Sequence, residues 1–214
     1  MIDRQLLEEA RNSVIECDKD KAMGVARRVI SEGLDVAQLM KEGFVAGIQQ
    51  VGELFGRGEL FLPAVVEAAD VMRIVTDIVN EALPHQVIEK RGVILIGTVK
   101  GDIHDIGKSI VVALLKANGF TVHDLGRDVA TEAFIEKAAE FNADIIGTSA
   151  LLTTTMAQQK YLEEALKKAG LRDRFKTIVG GAPVTARWAA RIGADAYAED
   201  AQEAVKKVSE LLAS

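Results

Sequence analysis

Residues 93–99 read VILIGTV, a β-rich apolar run that ends at once in a polar, glycine-containing loop. Four more short apolar runs follow it, with stretches of helical spacing between them: residues 120–125 (FTVHDL), 143–150 (ADIIGTSA), 176–181 (KTIVGG) and 195–198 (DAYA). Strands that alternate with helices in this way predict βαβ units. We therefore predict an α/β domain built on a doubly wound, five-stranded parallel sheet with helices on both faces.

In the residues before this domain, the apolar side chains recur with the period of a helix. Apolar side chains recur there at three- and four-residue steps: Val36, Leu39, Met40, Phe44, Ile48, Val51 and Leu54. This spacing predicts a helix with one buried face. Similar stripes on either side predict four helices packed as a bundle over the first 83 residues. Pro84 should stop the fourth helix, and HQVIEKRG should form a linker. The predicted domains are residues 1–88 and 89–214.

Composition and charge narrow the class of protein. Of the 214 residues, 49% are hydrophobic, and the net charge of −6 offers no basic surface for nucleic acid or an anionic membrane. The single cysteine, Cys17, cannot form an internal disulfide, which fits a reducing compartment. The first residues lack the apolar core of a signal peptide, and no apolar run reaches the roughly 20 residues of a membrane span. We expect a cytoplasmic protein that binds neither nucleic acid nor membrane.

The loop after the first predicted strand, GDIHDIGKS at residues 101–109, contains aspartate, histidine, lysine and serine side chains that could bind a ligand or take part in catalysis. Its Gly-Lys-Ser end is similar to a phosphate-binding loop, but that motif requires glycine where this chain has Asp102. Asp102 and His104 favour another chemistry, since a metal-ligating histidine usually donates its second ring N–H to a carboxylate. On composition alone, a surface histidine with a chance acidic neighbour would be the preferred interpretation of this pair. The other histidines and the cysteine are too scattered for a tetrahedral zinc site, so a metal here would need a cofactor to supply its remaining ligands.

Three motifs together resemble the cobalamin-binding domain family. They are Asp102-x-His104-x-x-Gly107, Ser149-Ala150-Leu151, and Gly180-Gly181 after 28 intervening residues. In the helical half, GELFLPAVVEAADVM (residues 58–72) is similar to the cap that precedes this domain in methionine synthase and in corrinoid proteins of methylamine, methanol and aryl-ether methyltransferase systems. The resemblance implies a four-helix bundle cap followed by a Rossmann-like (flavodoxin-like) cobalamin-binding domain.

The resemblance also implies the cofactor, a cobamide whose cobalt is held by four corrin nitrogens and by His104. The cofactor's own lower base would be displaced and buried in the sheet domain with its nucleotide tail. The residues implied to contact the cofactor there are Asp102, His104, Ile106, Gly107, Ser149, Leu151, Thr153, Gly180 and Gly181. Taken alone, the glycine pair would be interpreted as an ordinary turn at a strand end.

Two further roles are implied by the same resemblance. A hydroxyl residue six positions after the serine of the second motif completes a relay with the carboxylate and the histidine, and in this chain it is Thr155. Asp102, His104 and Thr155 are therefore the predicted catalytic group. Phe61 and Val71 match residues that cover the cobalt in the helical cap, although both could equally belong to the core of the bundle.

The function implied is that of a methyl carrier. Co(I) accepts a methyl group on a donor-specific methyltransferase, and methyl-Co(III) gives it to an acceptor methyltransferase, with a reductive activase as a further partner. Such a chain is a subunit of a cobamide-dependent methyltransferase system rather than an autonomous enzyme. Two alternatives are the cobalamin subunit of a radical mutase and a cobalamin-responsive sensor. The helical cap favours the carrier, and nothing in the sequence names the methyl donor.

Overall fold

The computed structural model describes residues 2–82 and 92–213, which belong to two compact units. The predicted domain boundary, the helix stop at Pro84 and the predicted linker, except its last residue Gly92, lie outside the described residues. Within these ranges, no helix combines the length and the hydropathy that crossing a membrane requires.

The first unit is helical. Its elements are α1 (Arg4–Ile15), α2 (Lys19–Ser31), α3 (Val36–Gln38), a π-helical segment (Leu39–Val45), α4 (Ala46–Gly56) and α5 (Leu62–Ala82). Because α3, the π-helical segment and α4 follow one another without a break, the described residues form the four helical stretches predicted from the sequence. α1 packs against α2, α4 and the π-helical segment, and α5 packs against α2 and α4.

Local sequence accounts for the way these helices begin and pack. The carboxylates of Asp3, Asp18 and Asp35 cap the first three helices by accepting a backbone N–H of the first turn. Gly43 and Gly47 let α1 approach closely, since a Cβ there would lie 2.8 Å from the Cβ of Ala10 and 2.7 Å from the carbonyl oxygen of Arg11, respectively. The π-helical segment was not predicted, because it changes the local period without changing which side chains are buried.

The second unit is the predicted five-stranded sheet with helices on both faces. Its elements are β1 (Val93–Thr98), α6 (Ile106–Ala117), β2 (Thr121–Asp124), α7 (Thr131–Glu140), β3 (Ile145–Ser149), α8 (Ala157–Lys168), β4 (Lys176–Gly180), α9 (Ala186–Ile192), β5 (Ala196–Tyr197) and α10 (Ala201–Ala213). The strand order is β2-β1-β3-β4-β5, and all pairs are parallel. Each observed strand lies within two residues of its predicted bounds.

Alternate residues of the strands pack on opposite faces of the sheet. Ile94 and Ile145 are buried with the apolar residues of α6 and α10, whereas Leu95 and Ile146 are buried with those of α7 and α8. The chain passes from β1 to β2 on one side and returns to β3 on the other, so the strand order reverses between β1 and β3. Ligands of such sheets bind beyond the carboxyl ends of the strands at this reversal, where residues 99–105 and 150–156 form the two loops.

Candidate functional site

The loop after β1 opens with a tight turn. The N–H of Asp102 donates to the carbonyl of Val99 at 3.1 Å, and Gly101 between them has a φ of +80°. Lys100 is not among the residues with positive φ, so the turn is of type II, which favours glycine at its third position. The turn delivers Asp102 to the interior, where the residue is 0% exposed.

The Asp102 carboxylate accepts hydrogen bonds through both oxygens. Oδ1 accepts the backbone N–H of His104 at 3.1 Å and lies 2.8 Å from its Nδ1. Oδ2 accepts the N–H groups of Leu151 at 2.7 Å and Leu152 at 3.3 Å, both in the loop after β3. The Thr155 hydroxyl lies 2.7 Å from the same oxygen. The structure thus brings together the three residues of the predicted relay.

These contacts determine the charge of Asp102 and the tautomer of His104. Burial alone would raise the pKa of the Asp102 carboxyl, but hydrogen bonds from Thr155, His104 and Leu151 outweigh it and hold this pKa well below its usual range. An ionised Asp102 requires a proton on Nδ1 of His104, so the lone pair of a neutral imidazole is on Nε2. The side chain of His104 is 46% exposed.

Apolar side chains that solvent can reach lie in or beside the two loops that contain His104 and the donors to Asp102. Ile103 and Ile106 are 67% and 78% exposed, and Leu151 and Leu152 are 41% and 42% exposed. All four belong to the two loops at the reversal of strand order or to the first residue of α6. A cluster of exposed large apolar side chains marks a surface that a ligand or a partner covers. Thr153, in the same loop as Leu151, is also exposed.

The predicted glycines have different surroundings. A Cβ on Gly107, in the first turn of α6, would meet no atom within 4 Å. In contrast, Gly181 has a φ of +123°, and a Cβ there would overlap the backbone of Ala150. At Gly180 a Cβ would lie 3.2 Å from the carbonyl oxygen of Ala198. Packing of the chain itself therefore explains glycine at 180 and 181, whereas at Gly107 it leaves open space.

The remaining predicted residues are placed as follows. Ser149 ends β3, in register with Thr98 of β1 and Gly180 of β4. Val71 is completely buried, on the same face of α5 as Val65, Ala68, Met72 and Val75. Phe61, which precedes α5, is 76% exposed. The capping role of Phe61 and Val71 stays a prediction.

Sequence reasoning missed a second set of side chains, which support the loop after β1. Lys108 is 3% exposed, and its Nζ lies 2.5 Å from both carboxylate oxygens of Asp124 at the end of β2. Asp128 Oδ1 accepts the N–H of Gly101 at 2.8 Å. The only sequence signal for these contacts is the polar loop DLGRD, which follows β2.

Comparison with known proteins agrees with this geometry. One family model described as a B12 binding domain matches residues 92–206, and a second with the same description matches residues 6–80. The chain is 50% identical to dimethylamine corrinoid protein 2 of Methanosarcina acetivorans over 97% of this chain and 96% of that protein. It is 46% identical to trimethylamine corrinoid protein 2 of Methanosarcina mazei, again over 97% and 96%. The chain belongs to the B12-binding corrinoid protein family.

Solved structures place the fold in the same family. A cobalamin-binding protein from Desulfitobacterium hafniense superposes with a TM-score of 0.77 at 33% identity, covering 99% of both chains. The methanol:cobalamin methyltransferase complex of Methanosarcina barkeri matches with a TM-score of 0.82 at 29% identity, over 99% of this chain and 81% of that chain. As predicted, the cofactor of this corrinoid protein is a cobamide with its cobalt.

The residues around His104 fit a corrinoid. A corrin ring is broad and largely apolar, which suits the exposed isoleucines and leucines of the two loops. Among residues 2–82 and 92–213 there is no group of three or more His, Cys, Asp and Glu side chains that could hold a metal ion. A single oriented imidazole therefore suits a metal that arrives with its other ligands already in place.

Proposed function

We propose that this corrinoid protein carries methyl groups in the cytoplasm, from a donor-specific methyltransferase to an acceptor methyltransferase, with His104 as the protein ligand to the metal. The observation that supports the proposal best is a fully buried carboxylate, Asp102, that orients a half-exposed imidazole. When bound, the corrinoid supplies a cobalt atom that accepts a methyl group and releases it to the next acceptor. A reductive activase is a further proposed partner.

The roles proposed for the chain's own residues follow from their contacts. Asp102 keeps the proton of the imidazole on Nδ1, so that His104 presents Nε2 to the metal. The Leu151 N–H and the Thr155 hydroxyl, both 2.7 Å from Oδ2, keep the Asp102 carboxylate ionised and fixed.

The proposed contacts with the rest of the cofactor lie at the same edge of the sheet. Gly107, where a Cβ would meet no atom within 4 Å, would leave room for the nucleotide tail, and Ser149 would hydrogen-bond the cofactor's lower base. The other proposed contacts in this unit are Ile106, Leu151, Thr153, Gly180 and Gly181. Phe61 and Val71, in the helical unit, are proposed as residues that would cover the cobalt.

We propose a methylated amine as the methyl donor. The relatives named for dimethylamine and trimethylamine are 50% and 46% identical to this chain, whereas the methanol complex matches at 29%. The donor would bind to the partner methyltransferase, which makes this chain a subunit of a two-enzyme system without turnover of its own. Within residues 2–82 and 92–213, no contact favours a radical mutase subunit or a sensor instead.

A reconstitution experiment tests this function. Wild type, His104→Ala and the matched control His123→Ala are each loaded with a cobamide and freed of unbound corrinoid. His123 is the control because it is also an imidazole of this unit but stacks on Phe141, with ring centroids 3.9 Å apart. We expect one cobamide per chain in wild type and control, and clearly less in His104→Ala.

The loaded proteins are then reduced and incubated with the donor-specific methyltransferase and isotope-labelled dimethylamine, trimethylamine or methanol. We expect the label to reach the corrinoid from a methylated amine in wild type and in His123→Ala. Labelling from methanol alone would contradict the proposed donor. Failure of wild type to retain a cobamide would contradict the proposed function itself.

A further inference from the structure

We propose that Asp128 is a positioning residue for the corrinoid site: it selects the conformation of the turn Val99–Asp102 and thereby places the Asp102 carboxylate against His104. The inference rests on the proposed function, since it concerns how the chain prepares the same imidazole. Asp128 lies in the loop between β2 and α7, outside the three motifs and 24 residues after His104 in sequence.

Asp128 contacts the turn through its side chain and its backbone. Its Oδ1 accepts the N–H of Gly101 at 2.8 Å and lies 3.1 Å from the Nζ of Lys100. Its own N–H donates to the carbonyl of Asp102 at 3.0 Å. The neighbouring Val129 forms a parallel bridge with Val99. Both ends of the turn and its central peptide group are therefore held by one short segment.

The Gly101 N–H, which Asp128 accepts, belongs to the peptide group whose orientation differs between two types of turn. Types I and II differ mainly by a flip of the central peptide group, here the one that joins Lys100 to Gly101. A flip would turn the Gly101 N–H away from Asp128 and break the hydrogen bond that ties the turn to the loop after β2. Glycine opposes such a flip only weakly, because both signs of φ are open to it. Asp128 supplies the contact that selects the observed conformation.

The backbone of Asp128 is itself in an unfavourable conformation. Its φ is +55°, in the left-handed region that side chains other than glycine rarely adopt. Among the described residues, Cys17 and Asn142 share this feature, but each follows the end of a helix, where a left-handed residue is common. Asp128 follows a strand, so its conformation has no such local reason and is maintained by the contacts with the turn.

The contacts of Asp128 affect the position of the His104 imidazole through Asp102. That carboxylate is 0% exposed and must meet donors from two loops at once, including Leu151 at 2.7 Å. A small displacement of the turn lengthens these bonds together, since they share one rigid group. Loss of the Asp128 side chain should therefore loosen contacts that Asp128 does not itself make. A purely local role would affect only the Gly101 N–H.

The test compares amide hydrogen exchange, measured by nuclear magnetic resonance, in the full chain without cobamide. Asp128→Gly keeps the left-handed backbone and removes the acceptor, whereas Asp128→Asn keeps an acceptor oxygen and tolerates the same φ. Asn142→Gly is the matched control, because it makes the same backbone change at a φ of +49° away from the site. We expect the amides of Gly101 and Leu151 to exchange about fivefold faster in Asp128→Gly, the factor that corresponds to one lost hydrogen bond.

A wild-type exchange rate at Leu151 in Asp128→Gly would overturn the inference, even with a faster Gly101 amide, and so would equal acceleration in Asn142→Gly. A fast Gly101 amide in the wild type would overturn it even if the glycine variant did not fold. The loaded proteins give a second comparison: cobamide affinity should fall in Asp128→Gly and recover in Asp128→Asn. Failure of the wild type to bind cobamide would instead contradict the proposed function, and the exchange data would remain interpretable.

Discussion

Replacing Asp102 with asparagine perturbs the site at the group on which the most contacts converge. Oδ1 meets only donors, the backbone N–H and Nδ1 of His104. Oδ2 also meets donors, the N–H groups of Leu151 and Leu152 and the hydroxyl of Thr155. Asparagine has a single oxygen, so its NH2 group must face one of these two sets of donors.

Each orientation of the asparagine has a definite cost. If the NH2 group replaces Oδ2, two backbone N–H groups lose their acceptor, and a buried unpaired donor costs about 1–3 kcal/mol. If it replaces Oδ1, the imidazole must accept at Nδ1 and carry its proton on Nε2, which blocks the ligating nitrogen. We expect the free energy of unfolding at neutral pH to fall by about 3 kcal/mol. Cobamide affinity should fall by roughly 10–100-fold, as for other residues that orient a metal ligand.

Urea unfolding of the cobamide-free chain and titration with cobamide measure the two effects. Asp144→Asn is the matched control, because Asp144 is an exposed aspartate whose carboxylate accepts one N–H, that of Val93 at 2.8 Å, at the amino end of the sheet. Its unfolding free energy should change by less than about 1 kcal/mol, with unchanged cobamide affinity. Equal unfolding free energies and affinities for Asp102→Asn and this control would refute the reasoning.

The stability difference should also depend on pH in a defined direction. The pKa of Asp102 is lowered in the folded chain, so the folded state binds fewer protons than the unfolded state as the solution is acidified. The stabilisation is fully present above the pKa of an unfolded aspartate, about 3.9, and is lost as the pH falls through the lower folded-state pKa. The difference between wild type and Asp102→Asn should be constant near neutral pH and shrink below about pH 4. A difference that grew on acidification would contradict this.

Three further predictions concern neighbouring features. The free energy of unfolding of Gly107→Ala should be within about 0.5 kcal/mol of the wild-type value, because the added Cβ meets open space, but this variant should bind cobamide more weakly. Gly181→Ala is the contrast: its Cβ would overlap Ala150, so this variant should fail to fold. Thr155→Ala should lower the free energy of unfolding by about 2 kcal/mol through loss of a hydrogen bond to a buried carboxylate, and Thr155→Ser should restore most of it. A fragment of residues 90–214 should bind one cobamide, and its methylated form should photolyse faster than that of the full chain; equal photolysis rates would contradict a capping role for the helical half.

The bounds of the strands could be predicted because their signals are local. Runs such as VILIGTV end where glycine and charged residues begin, and β1 ends one residue before the predicted limit. The four helical stretches of the first unit could be predicted in the same way. The exception is the π-helical segment Leu39–Val45, whose sequence has the same pattern of buried positions as an α-helix. Local periodicity thus predicts which side chains are buried better than it predicts the exact path of the backbone.

The supporting contacts of the site could not be predicted in the same way. A lysine at the start of a helix is expected in solvent, yet Lys108 is buried because Asp124, at the end of a different strand, reaches it. Asp128 likewise acts on Gly101 across two elements of structure. Contacts of this kind depend on strand order, which places β2 beside β1, and no short stretch of sequence contains that information.

The central claim is that the imidazole of His104 is the protein ligand to the cobalt. Electron paramagnetic resonance of the Co(II) form of the loaded chain measures this directly, because a coordinated nitrogen splits the cobalt signal. The wild type and His123→Ala should both show splitting from one protein nitrogen, and labelling histidine with 15N should change the pattern. In His104→Ala the protein-derived splitting should be absent. Retention of the same splitting in His104→Ala, or its insensitivity to labelled histidine, would contradict the account.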